Sequence, residues 1–89
     1  MHAIARFSIP LGQAREFRSE LEGLKSVLAQ APGFIDGVIG QNLDDPTLWH
    51  LLTKWENVGS YRRALNSTRA KLEAIPILAR AIDEPGAYE

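Results

Sequence analysis

The sequence predicts an α+β domain built on one antiparallel sheet with helices on a single face. Three observations carry this reading. Apolar residues alternate with period two in residues 2–9 and 48–56, they recur at helical spacing after residue 13, and the turn DDPT at 44–47 joins two extended runs. Period two marks a half-buried strand, and a 3.6-residue period marks an amphipathic helix.

The first strand spans residues 2–9, with Ala3, Ala5, Phe7 and Ile9 on one face and His2, Ile4, Arg6 and Ser8 on the other. Pro10 and Gly12 end it. A helix starts near residue 13, where Phe17, Leu21, Leu24 and Leu28 form one stripe opposite a charged face, and Pro32 and Gly33 stop it. The run FIDGVIGQN at 34–42 reads as a second strand, and 48–56 as a third, paired through the DDP turn as an antiparallel hairpin. Asn57 can cap a helix over 59–66, and Asn66 and Ser67 break it before a further helix over about 68–82, kinked at Pro76. EPGAYE at the end returns to extended chain as a short fourth strand. The order β-α-β-β-α(α)-β is the ferredoxin-like split βαβ arrangement in a single domain, residues 1–89.

The third strand also predicts what lies beyond the sheet. Thr47, Trp49, Leu51, Thr53 and Trp55 share one face; Leu48, His50, Leu52, Lys54 and Glu56 share the other. A sheet with one wet face should be polar on alternate positions. Leu48 and Leu52 break that rule, as does Ile4 on the first strand, so the second face needs cover. The chain has no spare element to supply it, and a second copy in a C2 homodimer is the economical answer.

Composition narrows the function classes. With no Cys there is neither a disulfide nor a thiolate metal site. A formal charge of −1, from 10 basic and 11 acidic residues, gives nucleic acid binding no global support. No apolar run is long enough to span a membrane, and MHAIARFSIP is too short and too quickly interrupted for a signal peptide, so the expectation is a cytoplasmic protein. No Ser-His-Asp arrangement, phosphate-cradling glycine loop or nucleotide fingerprint is present.

Specific motifs go further. PGF at 32–34, DDP at 44–46, WE at 55–56, Tyr61 six residues after Trp55 and Ser67 six after that stand in an order and spacing that resembles the antibiotic biosynthesis monooxygenase family of the dimeric α+β barrel superfamily. The resemblance implies a homodimer of ferredoxin-like subunits with a small cavity between sheet and helices in each. It includes cofactor-free oxygenases of aromatic polyketides, quinol oxygenases and haem-degrading enzymes. Two positions that often carry His in the family are Ala64 and Arg69 here. The first strand offers Ala5 and Phe7 where haem-degrading members carry an Asn, and the late helix has no His, which argues against haem degradation.

The resemblance makes Trp55 and Tyr61 the candidate catalytic pair and Phe7, Trp49, Thr53 and Asn66 the candidate substrate-binding residues. Trp55 lies on the helix-facing side, where core packing alone would also explain it; if buried, its indole N–H needs a partner that a substrate oxygen could supply. Tyr61, one turn into the next helix, can point back over the same face. Trp49 also suits the core, and Asn66 also suits a helix terminus. His50 has no second ligand at metal spacing, and DD at 44–45 belongs to a turn. The expected function is cofactor-independent oxygenation of a small aromatic or quinol substrate, without metal, haem or flavin and without nucleic acid or membrane partners. A non-catalytic ligand-binding or stress-associated dimer, or a small isomerase- or decarboxylase-like barrel, are the alternatives.

Overall fold

The computed structural model describes residues 1–89. Strand β1 (His2–Ser8) leads through a 3-10 turn at Leu11–Gln13 into helix α1 (Ala14–Ala29). Strands β2 (Phe34–Gln41) and β3 (Leu48–Trp55) form the hairpin, followed by helices α2 (Val58–Asn66), α3 (Thr68–Glu73) and α4 (Ile75–Leu78) and strand β4 (Ala87–Tyr88). The antiparallel sheet has the order β2-β3-β1-β4, the ferredoxin-like order the sequence predicts.

The predicted faces hold residue by residue. Phe7 pairs with Trp49 and Ala3 with Thr53 across β1 and β3, all on the helix side. The α1 stripe of Phe17, Leu21, Leu24 and Leu28 covers that side, and these residues join Phe7, Trp49, Leu51 and Trp55 in one buried core. On the other face Ile4, Leu52 and Val38 form one cross-strand row, with Val38 46% exposed.

Local signals act as their chemistry dictates. Asn57 Oδ1 accepts from the Ser60 N–H at 2.8 Å and starts α2. Ser67 Oγ accepts from the Ala70 N–H at 3.1 Å and donates to the Ala64 carbonyl at 2.9 Å, so one side chain ends α2 and begins α3. In the DDP turn, Asn42 Oδ1 accepts from the Asp44 and Asp45 N–H groups, and Asp45 Oδ1 accepts from the Thr47 N–H and hydroxyl. Those Thr47 bonds hold the Asp45 carboxyl below its usual range.

The last helix departs from expectation. A helix to about residue 82 is predicted, but α3 stops at Glu73 and the four-residue α4 ends at Leu78. Pro76 has no N–H to continue the ladder from α3, and it sits in the first turn of α4, where none is needed. The chain beyond α4 runs along the free edge of β1 instead, where the Ile82 N–H donates to the Arg6 carbonyl at 2.8 Å and the Ile4 N–H donates to the Gly86 carbonyl at 2.7 Å. Arg6 and Glu84 reinforce this seam with two hydrogen bonds of 2.6 and 2.8 Å.

Candidate functional site

The β3–α2 turn gathers the aromatic cluster. Trp55 ends β3 on the helix side, and Asn57 sets the start of α2 so that Tyr61 folds back over it. Their ring centroids are 5.7 Å apart at 60°, and Phe34 meets the other side of Trp55 edge-on at 5.3 Å. Such tilted pairs match the positive edge of one ring to the negative face of another.

Trp55 itself is 1% exposed, and its Nε1–H donates to Thr53 Oγ1 at 2.9 Å. The partner that the buried indole requires is therefore its own strand neighbour, two residues back on the same face. Phe7, fully buried, packs on Phe17 at 5.0 Å. Trp49 packs edge-on against Phe17 at 5.9 Å, with the Arg18 guanidinium 5.0 Å above its ring. Asn66 is exposed at the end of α2.

Between sheet and helices lies a cavity of about 40 Å³ lined by Ala3, Ile4, Ala5, Leu28, Leu51, Thr53, Tyr61, Leu65 and Leu78. It brings together Thr53 and Tyr61 of the six candidate residues; Phe7, Trp49, Trp55 and Asn66 are not in its lining. Small Ala3 and Ala5 on β1 make the space, and Leu28, Leu65 and Leu78 close it. These aliphatic residues escape sequence reasoning, because nothing but position separates them from ordinary core. Tyr61 is half-buried, and burial pushes its phenol pKa up, with Arg62 opposing weakly. It therefore stays protonated, as a hydrogen-bond donor, to a pH above the ordinary tyrosine value.

The two family-His positions are filled otherwise. Ala64 is buried, and Arg69 is held by Glu73 at 2.6 Å and by Gln30. Both line a groove of about 350 Å³ between the end of α1 and α2–α3, outside the aromatic cluster. No group of three His, Asp or Glu side chains stands where it could hold a metal ion. No helix is long and apolar enough to cross a membrane.

Two buried polar atoms have no hydrogen-bond partner: Trp49 Nε1 and His50 Nδ1. Leaving such a group unpaired costs about 1–3 kcal/mol. Sequence reasoning singles out Trp49 and weighs His50, but nothing in the residue pattern distinguishes the satisfied indole of Trp55 from the unsatisfied one of Trp49.

Comparison with known proteins places the fold. The crystal structure of SnoaB, a cofactor-independent oxygenase from Streptomyces nogalater, superposes with a TM-score of 0.84 at 23% identity, covering 99% of this chain and 89% of that one. A conserved protein from Methanosarcina mazei Go1 superposes with a TM-score of 0.76 at 22% identity, covering 97% of this chain and 84% of that one. A 42.8 kDa protein in the whiE locus of Streptomyces coelicolor is 28% identical over 71 residues, which is 80% of this chain and only 18% of that relative's length. The profile of the family described as antibiotic biosynthesis monooxygenase matches residues 1–72, and the chain belongs to that family.

Proposed function

We propose that the protein is a cofactor-independent monooxygenase that oxygenates a small phenol or quinol in the cavity between sheet and helices. The observation that carries this reading is Tyr61, a half-buried phenol in an otherwise almost wholly aliphatic lining, with its ring against Trp55. A phenolate is electron-rich enough to reduce O2 by itself, so the protein's tasks are to bind, orient and exclude water. The lining has no carboxylate or imidazole. The substrate proton therefore leaves to solvent, and Tyr61 donates to the resulting phenolate oxygen. Trp55, locked by Thr53, serves as a rigid wall behind Tyr61. For a naphthol the reaction balances without an added reductant: one O2 supplies one quinone oxygen and one water, and the substrate gives up four electrons. Turnover rises with pH towards the substrate's own ionisation, while Tyr61 remains a donor across that range.

An aromatic ring needs more room than the cavity offers. A cavity that holds benzene is about 150 Å³, and this one is about 40 Å³. Homodimerisation belongs to the same proposal, because the row of Ile4, Leu52 and Val38 leaves an apolar stripe on the second face.

The absent base favours a second reading, a non-catalytic binder of small aromatics. Titration of naphthols and hydroquinones, read by tryptophan fluorescence, tests the site common to both readings. Tyr61→Phe should keep the parent's melting temperature within a few degrees and bind about three- to tenfold more weakly, the loss of one neutral hydrogen bond. Equal affinity in parent and variant would remove Tyr61 from the site.

A further inference from the structure

Helix α2 and its C-terminal cap carry Ser60, Arg63, Ala64 and Ser67 at i, i+3, i+4 and i+7, so one stripe presents all four. This stripe lines the groove of about 350 Å³ between the end of α1 and α2–α3. Ligand pockets begin at about 300 Å³, so the groove has room for a small molecule. Leu28, Ala64 and Ala70 are buried and give it an apolar floor, which Val27 and Ala31 extend. Gln30, Arg63, Ser67 and Arg69 are exposed and give it a polar rim. A mostly apolar hollow with a few convergent polar groups is the ordinary make-up of a small-molecule site.

The charges of the lining select the ligand. None of its residues carries a carboxylate. Its two arginines differ in what they hold. Arg69 is already paired, with Nε donating to Glu73 at 2.6 Å and Nη1 to Gln30. Arg63 enters none of the three ion pairs of the chain. Its side chain makes one hydrogen bond to the protein, from Nη2 to Ser60 Oγ at 3.3 Å. Ser60 is 4% exposed, and its own O–H donates to no protein group. Glu56, just before α2, forms no ion pair with Arg63. An unneutralised cation and a buried hydroxyl donor thus stand side by side above an apolar floor.

We propose that this groove is a second ligand site, which takes a small carboxylate with an apolar body. The carboxylate lies on the Arg63 guanidinium and the Ser60 hydroxyl, and the body lies on Leu28, Ala64 and Ala70. Arg63 and Ser60 already touch, so one carboxylate reaches both donors. Hydrogen bonds from a guanidinium to a carboxylate are charge-assisted and stronger than neutral ones. Arg63 is exposed, however, and water screens its attraction, so the apolar floor must supply much of the affinity. The ligand therefore needs both its charge and its body. Leu28 is the one residue this groove shares with the cavity that holds Tyr61, so the two sites are neighbours with a common wall.

The alanines make the test direct, because Ala64 and Ala70 line the groove while Ala3 and Ala5 line the other cavity. Sodium hexanoate is titrated at constant pH and ionic strength into protein with 13C-labelled alanine methyls. Hexanoate should move the Ala64 and Ala70 methyl resonances saturably and leave those of Ala3 and Ala5 in place. Hexanamide keeps the body and loses the charge, and acetate keeps the charge and loses the body; each should bind about tenfold more weakly or worse. Arg63→Met keeps the side-chain stem and should weaken hexanoate about tenfold. Arg62→Met removes the same charge one position away, outside the groove, and should leave the affinity unchanged. No saturable shift at Ala64 and Ala70, equal affinity for hexanamide, or an Arg63→Met protein that binds as the parent does overturns the proposal. So does an equal loss in Arg62→Met, which would mean attraction to the general charge of α2, and so does a saturable shift at Ala3 and Ala5 alone, which would place the ligand in the other cavity.

Discussion

Gly33→Ala should lower the unfolding free energy by about 2–6 kcal/mol, of which about 1–3 is backbone strain and about 1–3 overpacking. Gly33 is the sole residue with positive φ, at 89°, where an L side chain is strained. Its added Cβ would stand 2.3 Å from Ser60 Oγ and 2.4 Å from Ser60 Cβ. Ser60 is buried in the first turn of α2 and cannot step aside. The Gly33 carbonyl also accepts from the Glu56 N–H at 2.8 Å, so the PGF turn clamps the start of the helix that carries Tyr61. At ~4–8 °C per kcal/mol for a domain of this size, the melting temperature should fall by on the order of 10 °C or more. In a Ser60→Gly background the same substitution should cost only the strain, about 1–3 kcal/mol. Differential scanning calorimetry of the four proteins checks both numbers. A variant as stable as the parent would mean that the turn is not under this constraint.

Leu52→Lys should convert the proposed dimer to a folded monomer. Leu52 is the centre of the apolar row, between Ile4 on β1 and Val38 on β2. In the single chain it is partly exposed, and the long lysine stem lets an ammonium group there reach water at little cost to the monomer. Against a second sheet it would be desolvated without a partner, at several kcal/mol. Each 1.4 kcal/mol is tenfold in dissociation constant, so dimer affinity should drop at least a hundredfold. Sedimentation equilibrium at micromolar concentration, with circular dichroism to confirm folding, reads the result. An unchanged dimer would mean that this face is not the interface, and a monomeric parent would remove the dimer altogether.

Much of the scaffold was legible because it rests on periodicity and capping, which are local. Phe17, Leu21, Leu24 and Leu28 had to share a face, Trp49 and Trp55 had to face them, and Asn57 and Ser67 had to sit at helix ends. The meeting of Tyr61 with Trp55 followed from those placements. Which polar atom finds which partner is not local in that sense. Thr53 on the same face as Trp55 was a readable clue to the indole's acceptor, but nothing in the pattern leaves Trp49 without one. The cavity walls at Ala3, Ala5, Leu65 and Leu78 depend on how four elements pack at once. The break between α3 and α4 depends on Pro76, and beyond α4 the chain is held to the β1 edge through Ile82 and Gly86.

Oxygen labelling tests the central claim most directly. Protein stripped of metal with a chelator is supplied with a naphthol under 18O2, and the product is read by mass spectrometry alongside oxygen uptake. The account predicts a quinone with a single 18O atom, one O2 consumed per quinone, no requirement for added metal, flavin or reductant, and a rate that falls in Tyr61→Phe. A parent that binds the naphthol through Tyr61 yet yields no 18O-labelled product above the protein-free control would contradict oxygenation and leave the protein a binder of small aromatics.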